Sequence, residues 1–316
     1  MKLDLELFKR LLVIDHPSGS EWPMLSAIIN ECYKIGGLTF ELDNYANILI
    51  TKNTTNPVYY PMVIAHTDCV LSNSNKQVVI NGDIISGRDA KTGKQIGLGS
   101  DDTAGVVCAI QLLKVCPNLK VLFTTEEEIG FVGAGVAAEN IEFFLDVSYM
   151  IQADRHGKHD LITYTNGIYS ASKEWLDCIT PIMAKFGYSE EYGLGTDVGR
   201  IARTVEISGV NISCGYSKEH SNQETTSISA LTNCLNFMYK ILLTVPLNKQ
   251  YTTDSFNNYG YYGSYGLDKA RGNTYYDDEY DFAHYPSLQD DSPGWDDIPC
   301  NNCKNNMDCM NCDAWK

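Results

Sequence analysis

Hydrophobic and polar positions recur with two different periods along the first 245 or so residues of this 316-residue chain. Leu5, Phe8, Leu11 and Leu12 fall at helical spacing, which predicts an amphipathic helix within Leu3 to Ile14. A second helix is expected to be capped by Ser20, to run through Ile35 and to stop at Gly36-Gly37. Val58 to Ala65, Lys120 to Thr125 and Val147 to Ala153 are short runs rich in Val, Ile, Phe and Tyr. Their length and composition predict buried strands, and Val205 to Gly215 reads the same way. Ala104 to Val115 predicts a helix. Thr226 to Val245 predicts a long final one, with Ile228, Leu231, Leu235, Met238 and Leu242 on one face. Strands alternating with helices predict an α/β fold: a three-layer, mostly parallel central sheet with helices on both faces.

The periodic pattern ends near Val245. From Tyr251 to Lys316 there are twelve Asp or Glu against four Lys or Arg, so half of the chain's net charge of −16 sits in its last fifth. That stretch also holds nine of the 20 tyrosines and almost no Leu, Ile or Val. Such a composition buries too little apolar surface to offset its ordering entropy. The expected organisation is a globular domain over residues 1–248, a flexible Tyr/Gly/Asp-rich acidic linker over 249–299 and a Cys-rich tail over 300–316. A disordered acidic C-terminal tail therefore completes the fold class.

Charge and composition exclude some functions. An acidic chain is a poor match for phosphate backbones, so no nucleic-acid partner is expected. No apolar run reaches the roughly 18 residues of a membrane helix, and Met1 to Glu6 lacks the pattern of a secretory signal, so a cytoplasmic protein without membrane association is expected.

The ends of the predicted strands carry the chemistry. Val63-Ile64-Ala65 runs into His66-Thr67-Asp68, Val121 to Thr125 into Glu126-Glu127-Glu128, and Met150 to Ala153 into Asp154. Open α/β sheets bind ligands outside the carboxyl ends of their strands, so three such runs suggest one shared site. Divalent cations take His nitrogen and carboxylate oxygen, and a bridging carboxylate can hold two of them about 3.5 Å apart. The sequence offers His66, Asp101, Glu128, Asp154 and His220 as ligands. Asp101 lies in the turn Gly99-Ser100-Asp101-Asp102-Thr103-Ala104-Gly105 before a helix. Asp68, two residues from His66, is placed to accept the imidazole N–H and orient it. Glu127 adjoins a ligand without being needed as one, which leaves it free to act as a general base.

In this order the motifs resemble those of the co-catalytic di-zinc exopeptidases, the group of peptidase T, the glutamate-carboxypeptidase-like enzymes and related aminopeptidases. The resemblance spans most of residues 5–245. It includes Pro17 to Glu21, Asp43-x3-Asn47 before a strand and Gly195-Thr196-Asp197. It implies two zinc ions, or another divalent metal such as Co or Mn. Asp101 would bridge them, His66 and Asp154 would complete one site, and Glu128 and His220 the other. Glu127 would be the general base and Asp68 the residue orienting His66. Asp102 is then a neighbour of the bridge, with an exchange between the two left open. Asp197 and Glu224 match supporting positions.

This chain departs from the pattern in places. Thr103 stands where relatives often carry Lys, and Ala46 where they carry Gly. Only 65 residues separate Asp154 from His220, too few for the inserted lid domain of several relatives. The resemblance therefore implies a lidless catalytic domain that hydrolyses N-terminal residues from short peptides. The alternatives are an N-acyl amino acid amidohydrolase or deacylase and, in another class, a non-catalytic metal-binding or scaffold protein. Arg155, just after a ligand, is a candidate substrate contact.

Two pairs, Cys300-x2-Cys303 and Cys309-x2-Cys312, close the chain. Four thiolates suffice for an additional structural zinc, with free thiols or disulfides as alternatives. The acidic Cys-rich tail is also a candidate attachment point for a protein partner.

Overall fold

A computed structural model of the chain describes residues 1–165 and 167–253. The expected linker beyond 253 and the cysteines Cys300, Cys303, Cys309 and Cys312 lie outside the described residues.

Helices α1 (Leu5–Leu12) and α2 (Trp22–Tyr33) lead into strands β1 (Leu38–Leu42), β2 (Ile48–Asn53) and β3 (Tyr60–His66). Then come β4 (Lys76–Asn81), β5 (Ile84–Asp89), β6 (Gln95–Ile96), α3 (Ser100–Val115), β7 (Asn118–Thr124) and α4 (Val132–Glu139). Next are β8 (Val147–Arg155), β9 (Asp160–Thr165), β10 (Ile168–Tyr169), α5 (Lys173–Phe186) and β11 (Ser189–Gly193). The series ends with α6 (Asp197–Val205), β12 (Gly209–Ser213), β13 (Tyr216–Ser217), β14 (Thr225–Ser227) and α7 (Ile228–Thr244).

The main sheet runs β1-β2-β7-β3-β8-β12-β9-β10, with β11 alongside β9. Strands β7, β3, β8 and β12 are mutually parallel, and the antiparallel pairs lie toward the two edges. Buried on both faces, β3 is apolar nearly throughout, as parallel central strands are. Its residues alternate between two cores. Val63 and Ala65 join the one that contains α1, α2, α3, α5 and α7, and Met62 and Ile64 the one with α4 and α6. The three-layer architecture expected from the sequence follows from this alternation. Among the described residues, no helix is long and apolar enough to cross a membrane.

Helix α3 is buried from Ser100 to Leu113 on every face, because it lies between the sheet and an outer layer of α1, α2 and α7. Its sequence accordingly shows no polar stripe. Helix α2 begins differently from the expectation. Its N-cap is Glu21, Pro23 lies in its first turn, and Ser20 does not cap it. Glu21 Oε1 instead accepts the Gly19 and Glu126 amides at 3.0 and 3.2 Å, tying the start of the helix to the turn after β7. The stretch from Val205 is also shared between elements, since Val205 ends α6 and the strand begins at Gly209.

Two features were not legible in the periodicity. Strands β13, β14, β5, β4 and β6 make a second small sheet whose strands are short and partly exposed. Packing also continues past the expected limit at residue 248. The Tyr251 ring is buried and lies edge-on to Tyr149 at 6.3 Å, while its amide donates to the Ser148 carbonyl at 2.8 Å. Thr252 pairs with Ile207 as a β-bridge. Removing this anchor leaves a cavity against Tyr149, so Tyr251→Ala should lower stability by about 3 kcal/mol in equilibrium chemical denaturation.

Candidate metal centre

The carboxyl ends of β3, β7 and β8 open side by side, with His66 directly opposite Thr124 in the parallel register. His66 ends β3, Asp154 is the last residue but one of β8, and Glu126 to Glu128 lie in the turn between β7 and α4. Asp101 sits at the start of α3, and His220 in the loop from β13 to β14. Five sequence-distant segments thus converge on one cleft of about 150 Å³, lined among others by Asp101, Glu127, Glu128, Asp154, Arg155 and His220.

Asp101 stands between the two histidines. Its Oδ1 is 3.1 Å from His66 Nε2 and its Oδ2 is 3.2 Å from His220 Nε2. Asp154 Oδ1 approaches His66 Nε2 at 3.4 Å, and Glu128 Oε2 approaches His220 Nε2 at 2.9 Å. The geometry therefore divides into two half-sites that share Asp101. Asp102 also lies within reach of His66 and Asp154. It turns away from His220, however: its Oδ1 accepts the Gly105 amide at 2.8 Å, and a Cβ at Gly105 would fall 2.3 Å from its Oδ2. Asp101, and not Asp102, faces both imidazoles.

Each of these groups is held by others. Glu224 accepts three amides at the start of α3, from Gly99 and Ser100 at 2.7 Å and from Asp101 at 3.1 Å. A carboxylate at a helix N-terminus satisfies donors that the helix itself cannot, so the segment carrying Asp101 is locked. Asp68 lies 3.3 Å from His66 Nδ1 and accepts the Glu127 and Glu128 amides at 3.0 and 3.2 Å. It also accepts the Ser18 hydroxyl at 2.7 Å. His66 Nδ1 lies 3.1 Å from the Asp68 backbone carbonyl as well, and the Asp68 carboxylate pins the turn bearing Glu127 and Glu128, a task that its spacing from His66 did not foretell. Ala46, the position of the expected glycine, takes the left-handed conformation at φ 63°.

Sequence reasoning missed the residues around Asp154. Gln152 Nε2 donates to its Oδ2 at 3.1 Å and the Tyr216 hydroxyl to its Oδ1 at 3.2 Å. Asn211 Oδ1 accepts its backbone amide at 2.9 Å. A polar Gln152 inside an apolar strand was the one available signal. Asn211 and Tyr216 come from elements that only folding brings near. Arg155 lines the cleft with its Nε 3.5 Å from Asp160 Oδ2.

The electrostatics are those of crowded carboxylates. Burial pushes the Glu127 carboxyl well above its usual range, His66 opposes this, and Asp154, Asp197 and Glu128 add to it. Burial likewise raises Asp154 to about 8 and Asp197 to about 7. Burial works against protonation of His66, but Glu127, Asp101, Asp154 and Asp68 together hold its imidazole well above the ordinary value. The hydrogen bonds to Asp101 and Glu128 raise His220 to about 10. Among the described residues, no Lys or Arg forms an ion pair with Asp101, Glu128 or Asp154, and Asp102 Oδ2 and Asp197 Oδ1 are buried without a hydrogen-bond partner. Imidazole nitrogens and carboxylate oxygens within 4.8 Å of one another form a donor set that suits divalent cations, which would also relieve the repulsion.

A family model described as M42 glutamyl aminopeptidase matches residues 76–237, a span that includes Asp101, Glu127, Glu128, Asp154 and His220 but not His66 or Asp68. No curated protein matches the chain. Among solved structures, an aminopeptidase PepT from Bacillus cereus is similar, with a TM-score of 0.64 and 15% identity over 75% of this chain and 96% of its own. A tripeptidase from Staphylococcus aureus is similar at 0.62 and 17% over 75% of this chain and 96% of its own. An aminopeptidase from the archaeon Desulfurococcus kamchatkensis is similar at 0.62 and 15% over 77% and 95%. At these identities the likeness is one of fold.

The charge crowding sets a pH dependence for metal-free protein. Asp154 and Asp197 keep protons when folded that the unfolded chain releases near about pH 4, and His66 and His220 are also raised. The folded state therefore binds more protons across this window, and stability is lost as pH rises. Chelator-treated protein should show a falling thermal midpoint from about pH 5 to pH 8, and added zinc should raise that midpoint more at pH 8 than at pH 5.

Proposed function

The chain belongs to the M42 glutamyl aminopeptidase family, and we propose that within it the protein uses two zinc ions to remove N-terminal residues from short peptides, with Glu127 as general base. Membership makes it a metal-dependent peptidase. The number and identity of the ions, the base and the substrate are the added proposal.

The observation that carries it is Asp101, one carboxylate whose two oxygens face two histidines. On this basis His66, Asp101 and Asp154 hold one ion, and Asp101, Glu128 and His220 the other. Bound there, two divalent cations would lower the pKa of a water and polarise the amide carbonyl. The chain's own residues do the rest. Glu127 opens onto the cleft, and burial shifts its carboxyl upward in the metal-free protein. It takes a proton from the attacking water and returns it to the leaving amine. Asp68 keeps the His66 ring and the Glu127 turn in register through its three hydrogen bonds and its contact with His66 Nδ1. Asp154 is aimed by Gln152, Asn211 and Tyr216, so its oxygens do not need to reorganise as a substrate arrives.

The seven described cysteines are all free thiols, which supports a cytoplasmic location. Shared zinc-hydrolase chemistry would serve an N-acyl amino acid amidohydrolase as well, and the substrate experiment below separates the two.

Glu127→Gln removes the proton acceptor at nearly constant volume. Turnover of an aminoacyl amide should fall by about 10² or more, while zinc content by elemental analysis stays at two per chain. Loss of a zinc would instead make Glu127 a ligand and exchange its role with that of Glu128. His66→Ala and His220→Ala should each lower the zinc content of the purified full-length protein, and full retention in both would overturn the ligand assignment.

A further inference from the structure

Part of the cleft's lining comes from β9, from the end of β11 and from the segment between β11 and α6. It presents Ile162, Gly193 and Leu194 beside the histidines and acids. Gly193 lies so close to Ile162 that a Cβ there would fall 2.6 Å from Ile162 Cγ2, so only glycine lets the backbone pass. The next residue is then fixed by its backbone, because the Leu194 carbonyl accepts the Thr165 hydroxyl. The Leu194 side chain is nonetheless 79% exposed, an apolar group held at the edge of a polar cleft.

Each basic group in the same lining has an acidic neighbour, although Arg155 Nε makes no hydrogen bond. Arg155 Nε is 3.5 Å from Asp160 Oδ2, and His156 Nδ1 is 2.7 Å from Glu219 Oε1. An acidic substrate side chain would have to compete with Asp160 and Glu219 for them. An apolar side chain meets no such cost and covers exposed surface of Leu194. The cleft, about 150 Å³, is smaller than the ~300–1,000 Å³ of pockets that bury drug-sized ligands. An exopeptidase must seat the residue that it removes beside its reacting centre, and Leu194 is the exposed apolar side chain in this lining.

Building on the exopeptidase proposal, we infer that the cleft selects peptides whose N-terminal residue is uncharged and apolar, seated against the exposed Leu194, and that Leu194 sets this preference. Relative to the glutamyl name of the family, this is a change of substrate class.

The test compares the zinc-loaded full-length chain on the amides of leucine, methionine, alanine and glutamate. Leucine and methionine amides should be hydrolysed with kcat/KM about 10-fold or more above those of alanine and glutamate. Leu194→Ala should reduce the leucine-to-alanine ratio by about 10-fold, and Leu194→Lys should raise the glutamate-to-leucine ratio. The side chain is exposed, so both variants should fold, as their unfolding midpoints would check. Glutamate amide cleaved as fast as leucine amide, or a leucine-to-alanine ratio unchanged in Leu194→Ala, overturns this inference alone. Cleavage of N-acyl amino acids but of no amide overturns the exopeptidase proposal and this inference with it.

Discussion

Mutual repulsion among buried carboxylates is the constraint around which this protein is organised. Asp101, Asp102, Glu127, Glu128, Asp154 and Asp197 gather about two imidazoles. Removing such groups from water costs several kcal/mol each unless they are paired or hold a metal. The sharing of protons with His66 and His220 offsets part of that cost. The family's dependence on metal is consistent with the remainder, because a bound cation would supply counter-charge to these groups.

Holding like charges together demands a stiff frame, and the frame is built from backbone amides more than from cations. Glu224 collects three N–H groups at the head of α3, and Asp68 collects two from the turn after β7. The first set ties the head of α3 to the loop before β14, and the second ties the end of β3 to the turn after β7. Helix α3 is buried along nearly its whole length, so Asp101 is anchored in the core as well as at its cap. Where the frame needs close approach, it uses residues without bulk, as at Gly105 beneath Asp102.

The segment between Asp154 and His220 shows a different economy. Its described residues form β9 to β12 with α5 and α6, within the main sheet and its covering layers, and β13 of the small sheet. The cleft is therefore lined in part from the edge of the main sheet, by Ile162 on β9 and by Leu194 just after β11.

The sequence by itself determined the layered α/β class and the identity of the acids and histidines at the strand ends, because both are written in local patterns. Central strands such as β3 must be apolar on both faces, and a run like Val63-Ile64-Ala65 that ends in His66 announces a site wherever it folds. Tertiary structure alone decided the rest. Which of Asp101 and Asp102 faces both histidines depends on how α3 starts, which Glu224 controls from 123 residues away. Asn211, Tyr216 and Tyr251 carry no local mark, since their roles arise from partners distant in the chain. The small second sheet was equally hidden, because its short, half-exposed strands bury too few residues to impose a period. Local periodicity records what a segment buries; it does not record which distant segment it meets.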